Sequence, residues 1–205
     1  MHKLKKISII YLVIFTITTS VFAQEFNAGI YGGLSATQID GDTFDGYNKA
    51  GIMTGAYVNR YFDKKWAGQM GLRFAQKGSK RADNEEGIYY RCQLNYIEMP
   101  LTIRYQHFKK VDFEAGLSLG YLIKAMEAIG ADDMQEPNLS FNKFELASLI
   151  GINYHFNKKV FVGGHISYSL LAIRPFSSGN DEFMDKGQHN NVIYFSVGYK
   201  LSTWR

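Results

Sequence analysis

At 205 residues the chain has room for one domain and a short leader. Its formal charge of +4 falls to +1 once Lys3, Lys5 and Lys6 are set aside, so the charge balance gives no reason to expect a nucleic-acid partner. A single cysteine, Cys92, excludes an intramolecular disulfide framework and a thiolate metal cluster, and it reads as a lone loop thiol.

The first element is a leader. "MHKLKK" is basic, an apolar run follows from Ile7 to Ile17, and Val21 and Ala23 stand at −3 and −1 of a cut before Gln24. This is the pattern of a secretory signal peptide, and the apolar run is shorter than a spanning helix needs. The expected division is a cleaved signal over 1–23 and one domain over 24–205.

From there the apolar residues recur at period two, the signature of β-strands. One face carries Phe26, Ala28, Ile30, Gly32 and Leu34; then Ile52, Ala56 and Val58; then Trp66, Gly68, Met70, Leu72 and Phe74. It continues with Ile97, Met99, Leu101, Ile103 and Tyr105, and with Val111, Phe113, Ala115, Leu117, Leu119 and Tyr121. Phe144, Leu146, Ile150, Ile152 and Tyr154 mark a sixth strand, Val160, Val162, Gly164, Ile166, Tyr168 and Leu170 a seventh, and Ile193, Phe195, Val197, Tyr199 and Leu201 an eighth. The opposite face is rich in Gly, Ser, Asn and Gln, with few charges. Strands of about nine to twelve residues match a tilted membrane crossing.

The connections alternate too. "FDKK", "HFKK" and "FNKK" follow strands two, four and six, while long polar stretches at 36–49, 78–93, 124–142 and 172–190 follow the others. This predicts an all-β, eight-stranded antiparallel up-and-down transmembrane β-barrel with short periplasmic turns and long extracellular loops. A lipocalin-like soluble barrel is the alternative with the same topology. It would need a charged outer face, and the lipocalin Gly-x-Trp signature is missing from strand one.

The mature chain resembles the PorT-like small outer-membrane β-barrel proteins of Gram-negative bacteria. The resemblance rests on "FNAGIYGGLSATQIDGD", "FAQKGSK", "LNYIEMPLTIRY" and the late "GYK". It implies a cell-envelope barrel in the bacterial outer membrane, in a family with one branch tied to protein secretion. The C-terminus departs from the common outer-membrane pattern of a terminal aromatic. Leu201 stands in that phase, leaving Tyr199 or Trp204 for the barrel assembly machinery to read.

By parity Arg73, Glu98, Arg104, Glu114, Glu145 and Lys200 point into the barrel, and Arg73 and Glu98, on neighbouring strands, are expected to pair. Charges in so narrow a lumen must be neutralised, so these six are read as a structural polar network rather than an ion path. "GHISYS" sets His165, Ser167 and Ser169 on one face, an arrangement that resembles lipid A deacylases, but on the lumen side and without an acid close by on the next strand. "DGDTFDG" from Asp40 fails the calcium-loop pattern at Phe44 and Asp45. No catalytic, cofactor-binding or metal-binding residues are expected, and no enzyme activity.

Thirteen of the 19 acidic residues fall in the long loops and their edges, whereas the short turns carry paired lysines. The outer rim is therefore expected to share divalent cations with lipopolysaccharide phosphates, with stability in lipopolysaccharide lowered by EDTA. The expected role is that of a structural or surface-interaction barrel without a wide pore. Its expected partners are outer-membrane lipid and lipopolysaccharide, the assembly machinery and secretion-system proteins. An accessory role in outer-membrane secretion is the alternative.

Overall fold

The computed structural model describes residues 26–42, 46–81, 90–130, 133–175 and 187–202. The expected signal segment, Trp204 and the tips of the long loops lie outside them. Eight strands follow in order: β1 (Phe26–Asp40), β2 (Lys49–Tyr61), β3 (Trp66–Lys80), β4 (Tyr90–Phe108), β5 (Val111–Ile129), β6 (Phe144–His155), β7 (Val160–Ser169) and β8 (His189–Lys200). Each pairs antiparallel with its chain neighbours, and β1 closes on β8 from Gly29↔Lys200 to Asp40↔His189. The architecture is a closed, eight-stranded, up-and-down antiparallel barrel, as the alternation predicts.

The short turns are built by their own side chains. In the β6–β7 turn the Asn157 carboxamide oxygen accepts from the backbone N–H groups of Lys159 and Val160, both at 2.8 Å. In the β2–β3 turn Asp63 accepts from the Lys64 N–H at 2.6 Å. Asx residues favour such local bonds, which explains why Phe-Asp-Lys-Lys and Phe-Asn-Lys-Lys recur at one end of the barrel.

Burial is inverted relative to a soluble barrel. Leu34, Phe144, Ile150 and Phe195 point outward and are each more than 60% exposed, whereas the inward Arg73, Glu98, Arg104 and Glu145 are at most 4% exposed. The outer apolar band is edged by aromatic pairs: Trp66 against Tyr105 at the turn end, with ring centroids 4.5 Å apart, and Tyr121 against Phe144 at the loop end, 5.4 Å apart. Phe113, opposite Tyr105, is eight residues from Tyr121 along β5. That is about 26 Å of strand, or about 20 Å of height at the usual barrel tilt, enough for most of an outer-membrane hydrocarbon layer.

The strands are longer than predicted, and much of the expected loops is strand. β4 and β5 span 19 residues each, and β1 and β3 span 15. The reason is visible along β4. Toward the turn end its inward residues are Glu98, Thr102 and Arg104 and its outward ones Ile97, Met99, Leu101 and Ile103. Beyond Tyr96 the preference reverses without a change of phase: Tyr90, Cys92 and Leu94 point in, and Arg91, Gln93 and Asn95 point out. The same ladder thus continues past the bilayer with a water-facing exterior and an apolar interior. Cys92 is accordingly not a loop thiol: it sits in β4, fully buried in a cluster with Ile39, Tyr90, Leu94, Tyr96, Leu122, Phe141 and Ile173.

Two local irregularities bear on the wall. Gly78 adopts φ +134°, a conformation L side chains rarely adopt, and a Cβ there would run into the Cys92 carbonyl. The β3–β4 register skips from Met70↔Leu101 to Arg73↔Glu98, so the ladder is interrupted beside Pro100, which has no N–H to donate.

Candidate functional site

The inward residues form two polar clusters, one above the other in the lumen. In the one nearer the loops, Glu98 takes Arg73 Nε at 2.5 Å on one oxygen and Lys77 Nζ at 2.6 Å on the other. Lys77 reaches across the lumen to Glu145 at 2.8 Å, and Glu145 also accepts from the Ser169 hydroxyl and from Asn190 Nδ2 at 3.1 Å. Aromatic rings cover the cations: Arg73 lies 4.4 Å from the Tyr194 ring centroid and Lys77 lies 5.0 Å from that of Tyr96.

In the cluster nearer the turns, Arg104 grips Asp112 with two nitrogens, Nε at 3.0 Å and Nη2 closer, and donates through Nη1 to Gln69 at 3.0 Å. His155 Nε2 shares the same Asp112 oxygen as Nη2. Glu114 is bonded on all sides: Thr102 at 2.7 Å, Gln69 at 2.9 Å, Asn153 at 3.2 Å and His165 Nε2 at 3.4 Å. Each of the four carboxylates in these clusters, Glu98, Asp112, Glu114 and Glu145, therefore has a cation, an imidazole or several donors, as a low-dielectric lumen demands.

Arg73, Glu98, Arg104, Glu114 and Glu145 all lie in these clusters, with Arg73 against Glu98. Lys200 does not join them; it stands at the rim of an open vestibule at the turn end. Sequence reasoning did not single out Lys77, Asp112, Asn153 or His155. Asp112 shares its parity with Glu114, and Lys77 shares its own with Arg73, so strand phase carried both signals.

The space left between the clusters is about 30 Å³, bordered by Tyr31, Arg73, Arg104 and His165. A water needs about 10–15 Å³ of such space, so the constriction is the size of one or two water molecules. Above it the apolar cluster around Cys92 is topped by residues of the loops: Ile173 is fully buried, its N–H bonded to the Gln188 carbonyl at 2.8 Å. Arg174 holds Glu127 at 3.2 Å while stacking on Phe141. This part of the expected 172–190 loop is a folded lid element, and Tyr90 adds a 2.6 Å bond to Glu127.

The His-x-Ser pair of β7 faces the lumen. Its histidine does meet an acid, Glu114 on β5, a contact across the lumen rather than with the next strand. Among the described residues the buried Ser167 Oγ has no hydrogen-bond partner, His165 included. A nucleophile activated by that imidazole would need such a bond. Among the described residues no group of three or more His, Cys, Asp or Glu is placed to hold a metal ion. Most of the acids expected at the outer rim, Asp83, Glu85, Glu86, Asp181, Glu182 and Asp185 among them, lie outside the described residues. Of those that are described, Asp40 and Glu127 belong to strands, with Asp40 bonded by Gln38 and Asn191.

Comparison with known proteins places this arrangement. A search of curated protein sequences returns no match. Among solved structures, the attachment invasion locus protein Ail of Yersinia pestis superposes with a TM-score of 0.53 at 15% identity, over 86% of this chain and 99% of that one. Neisserial surface protein A superposes with a TM-score of 0.51 at 10% identity, over 86% of this chain and 97% of that one. At such identities the likeness is one of fold. The model of the outer membrane protein beta-barrel domain matches residues 22–173, most of the barrel. The chain belongs to the outer membrane protein beta-barrel domain family.

Proposed function

We propose that this protein is an integral outer-membrane barrel with a structural or surface-interaction role, without catalysis and without a wide pore. The observation that carries the reading is the filled lumen, where ion pairs and an apolar cluster occupy the bore and leave about 30 Å³ between the polar clusters. An eight-stranded bore holds side chains and little else. Recognition is then left to the two ends of the barrel, the loop end being carried on the long strands. The exported precursor loses residues 1–23, the short turns face the periplasm, and lipopolysaccharide and the assembly machinery are the first partners. The finer kinship to the PorT-like proteins, carried by the "FAQKGSK" and "LNYIEMPLTIRY" segments, belongs to this reading as well. Through it, secretion-system proteins enter as partners.

Membrane fractionation followed by gel electrophoresis in cold SDS tests the first half. The expected result is an outer-membrane band whose mobility changes on boiling. Planar-bilayer recording tests the second, with no steady channel expected. A soluble protein without a heat shift, or a persistent ohmic conductance, contradicts the proposal.

A further inference from the structure

Beyond Arg104 the lumen opens at the turn end into a vestibule of about 460 Å³. Its lining includes Arg104, Lys109, Lys110, Lys158 and Lys200 and not one carboxylate. The acid beneath its floor, Asp112, is 2% exposed and already bonded to Arg104, His155 and Asn153, so it does not neutralise the walls. Lys109, Lys110 and Lys158 form no ion pair among the described residues. They come from two neighbouring turns, β4–β5 and β6–β7, which the pairing of β5 with β6 brings side by side at the mouth of one cavity. Like charges around a low-dielectric concavity repel one another and focus a positive potential into it, and an anion between them relieves both effects.

We infer that this vestibule is a phosphate-binding site, taking a compact, multiply charged phosphorylated group. The chemistry of the donors separates phosphate from carboxylate. The one guanidinium in the lining spends Nε and Nη2 on Asp112 and Nη1 on Gln69, so the planar fork that matches a carboxylate is occupied. What remains are ammonium groups, compact point charges on flexible stems, suited to a tetrahedral anion approached from several sides. Tyr57, Tyr61 and Phe156 supply apolar wall for the part of the ligand that carries the phosphate. The volume falls in the range of small-molecule sites. A soluble phosphate ester and the headgroup of an inner-leaflet lipid present the same chemistry at this end of the barrel. That the end faces the periplasm rests on the proposed function, but binding to the purified barrel does not.

The test is calorimetric titration of the folded barrel, in an uncharged maltoside detergent, with inorganic pyrophosphate. Saturable binding with a Kd below about 1 mM is expected, weakened at least about tenfold by K109Q/K110Q/K158Q together. The heat-dependent gel shift of that variant checks that it has folded. K64Q/K65Q alters the β2–β3 turn, whose lysines do not line the cavity, and should bind as the unaltered protein does. In a second arm, dihexanoyl phosphatidic acid and glucose 1-phosphate compete with pyrophosphate. Stronger displacement by the lipid assigns the site to a headgroup, and stronger displacement by the sugar phosphate assigns it to a soluble ester. No saturable heat, equal weakening by K64Q/K65Q, undiminished binding in the folded triple variant, or no displacement by either competitor overturns the inference.

Discussion

Lys77→Met removes the cation that bridges two carboxylates in the middle of the barrel. Methionine keeps most of the volume, so the perturbation is electrostatic. Glu98 retains Arg73 at 2.5 Å, but among the described residues Glu145 is left with the Ser169 hydroxyl and Asn190, neither of them a cation. Deleting one member of a buried pair costs about 3–5 kcal/mol, because the other charge stays buried and unmatched. With a urea dependence of about 1–3 kcal/mol per molar, the unfolding midpoint should fall by more than about 1 M. The assay is urea unfolding of the barrel in detergent micelles, followed by tryptophan fluorescence and by the cold-SDS mobility shift. Adding Glu145→Gln removes the orphaned charge, so the double variant should be more stable than Lys77→Met alone. A single variant within about 1 kcal/mol of the parent, or a double variant whose loss is the sum of the singles, would refute the pairing.

Gly78→Ala should destabilise the barrel by about 1–3 kcal/mol, read as a lower urea midpoint, since it forces an L side chain to φ +134° beside the Cys92 carbonyl. Cys92 should resist maleimide in the unboiled barrel and react fully after boiling in SDS; modification of the folded form would contradict its burial. In a Trp204→Phe background, Trp66 fluorescence should be quenched more by lipids brominated near the headgroup than by those brominated at the chain ends, as a girdle position requires. Ser167→Ala should leave the lipid A of the host unchanged, and an altered lipid A profile would reopen the enzymatic reading.

Period-two alternation made the barrel legible, because bilayer and lumen impose opposite polarity on adjacent residues. Parity was enough to turn Arg73 and Glu98 inward on adjoining strands. Lys77 escapes notice because the apolar alternation of β3 is clear only as far as Phe74, and the polar stretch from Gly78 reads as a loop. Gly78 instead uses its positive φ to carry the ladder on to Lys80. Above Tyr96 the inward face of β4 turns apolar and the outward face polar, so the pattern for a membrane crossing fails just where the strand leaves the membrane. The contacts of Glu145 with Lys77 and of Glu114 with His165 had no sequence signal. Which rows face each other across a bore depends on strand tilt and stagger, quantities that alternation does not encode.

Lys77 belongs to β3 and Glu145 to β6. In a flat sheet, at about 4.8 Å per strand, they would be about 14 Å apart, far beyond ion-pair reach. His165 and Glu114 are likewise two strands removed, and Arg73 reaches Tyr194 only because β8 has come round to β1. Pairs between adjoining strands, such as Lys77 with Glu98 and Arg104 with Asp112, can form in an open sheet, but Glu145 gains its cation only when the sheet curls into the cylinder. The cross-lumen bonds make barrel closure cooperative: intermediates are penalised and the completed cylinder is favoured, so the polar interior selects for finished molecules during membrane insertion. In a timed refolding experiment, Lys77→Met should accordingly prolong the lifetime of the unclosed, protease-sensitive form, and an unchanged lifetime would argue that closure is driven by the backbone seam alone.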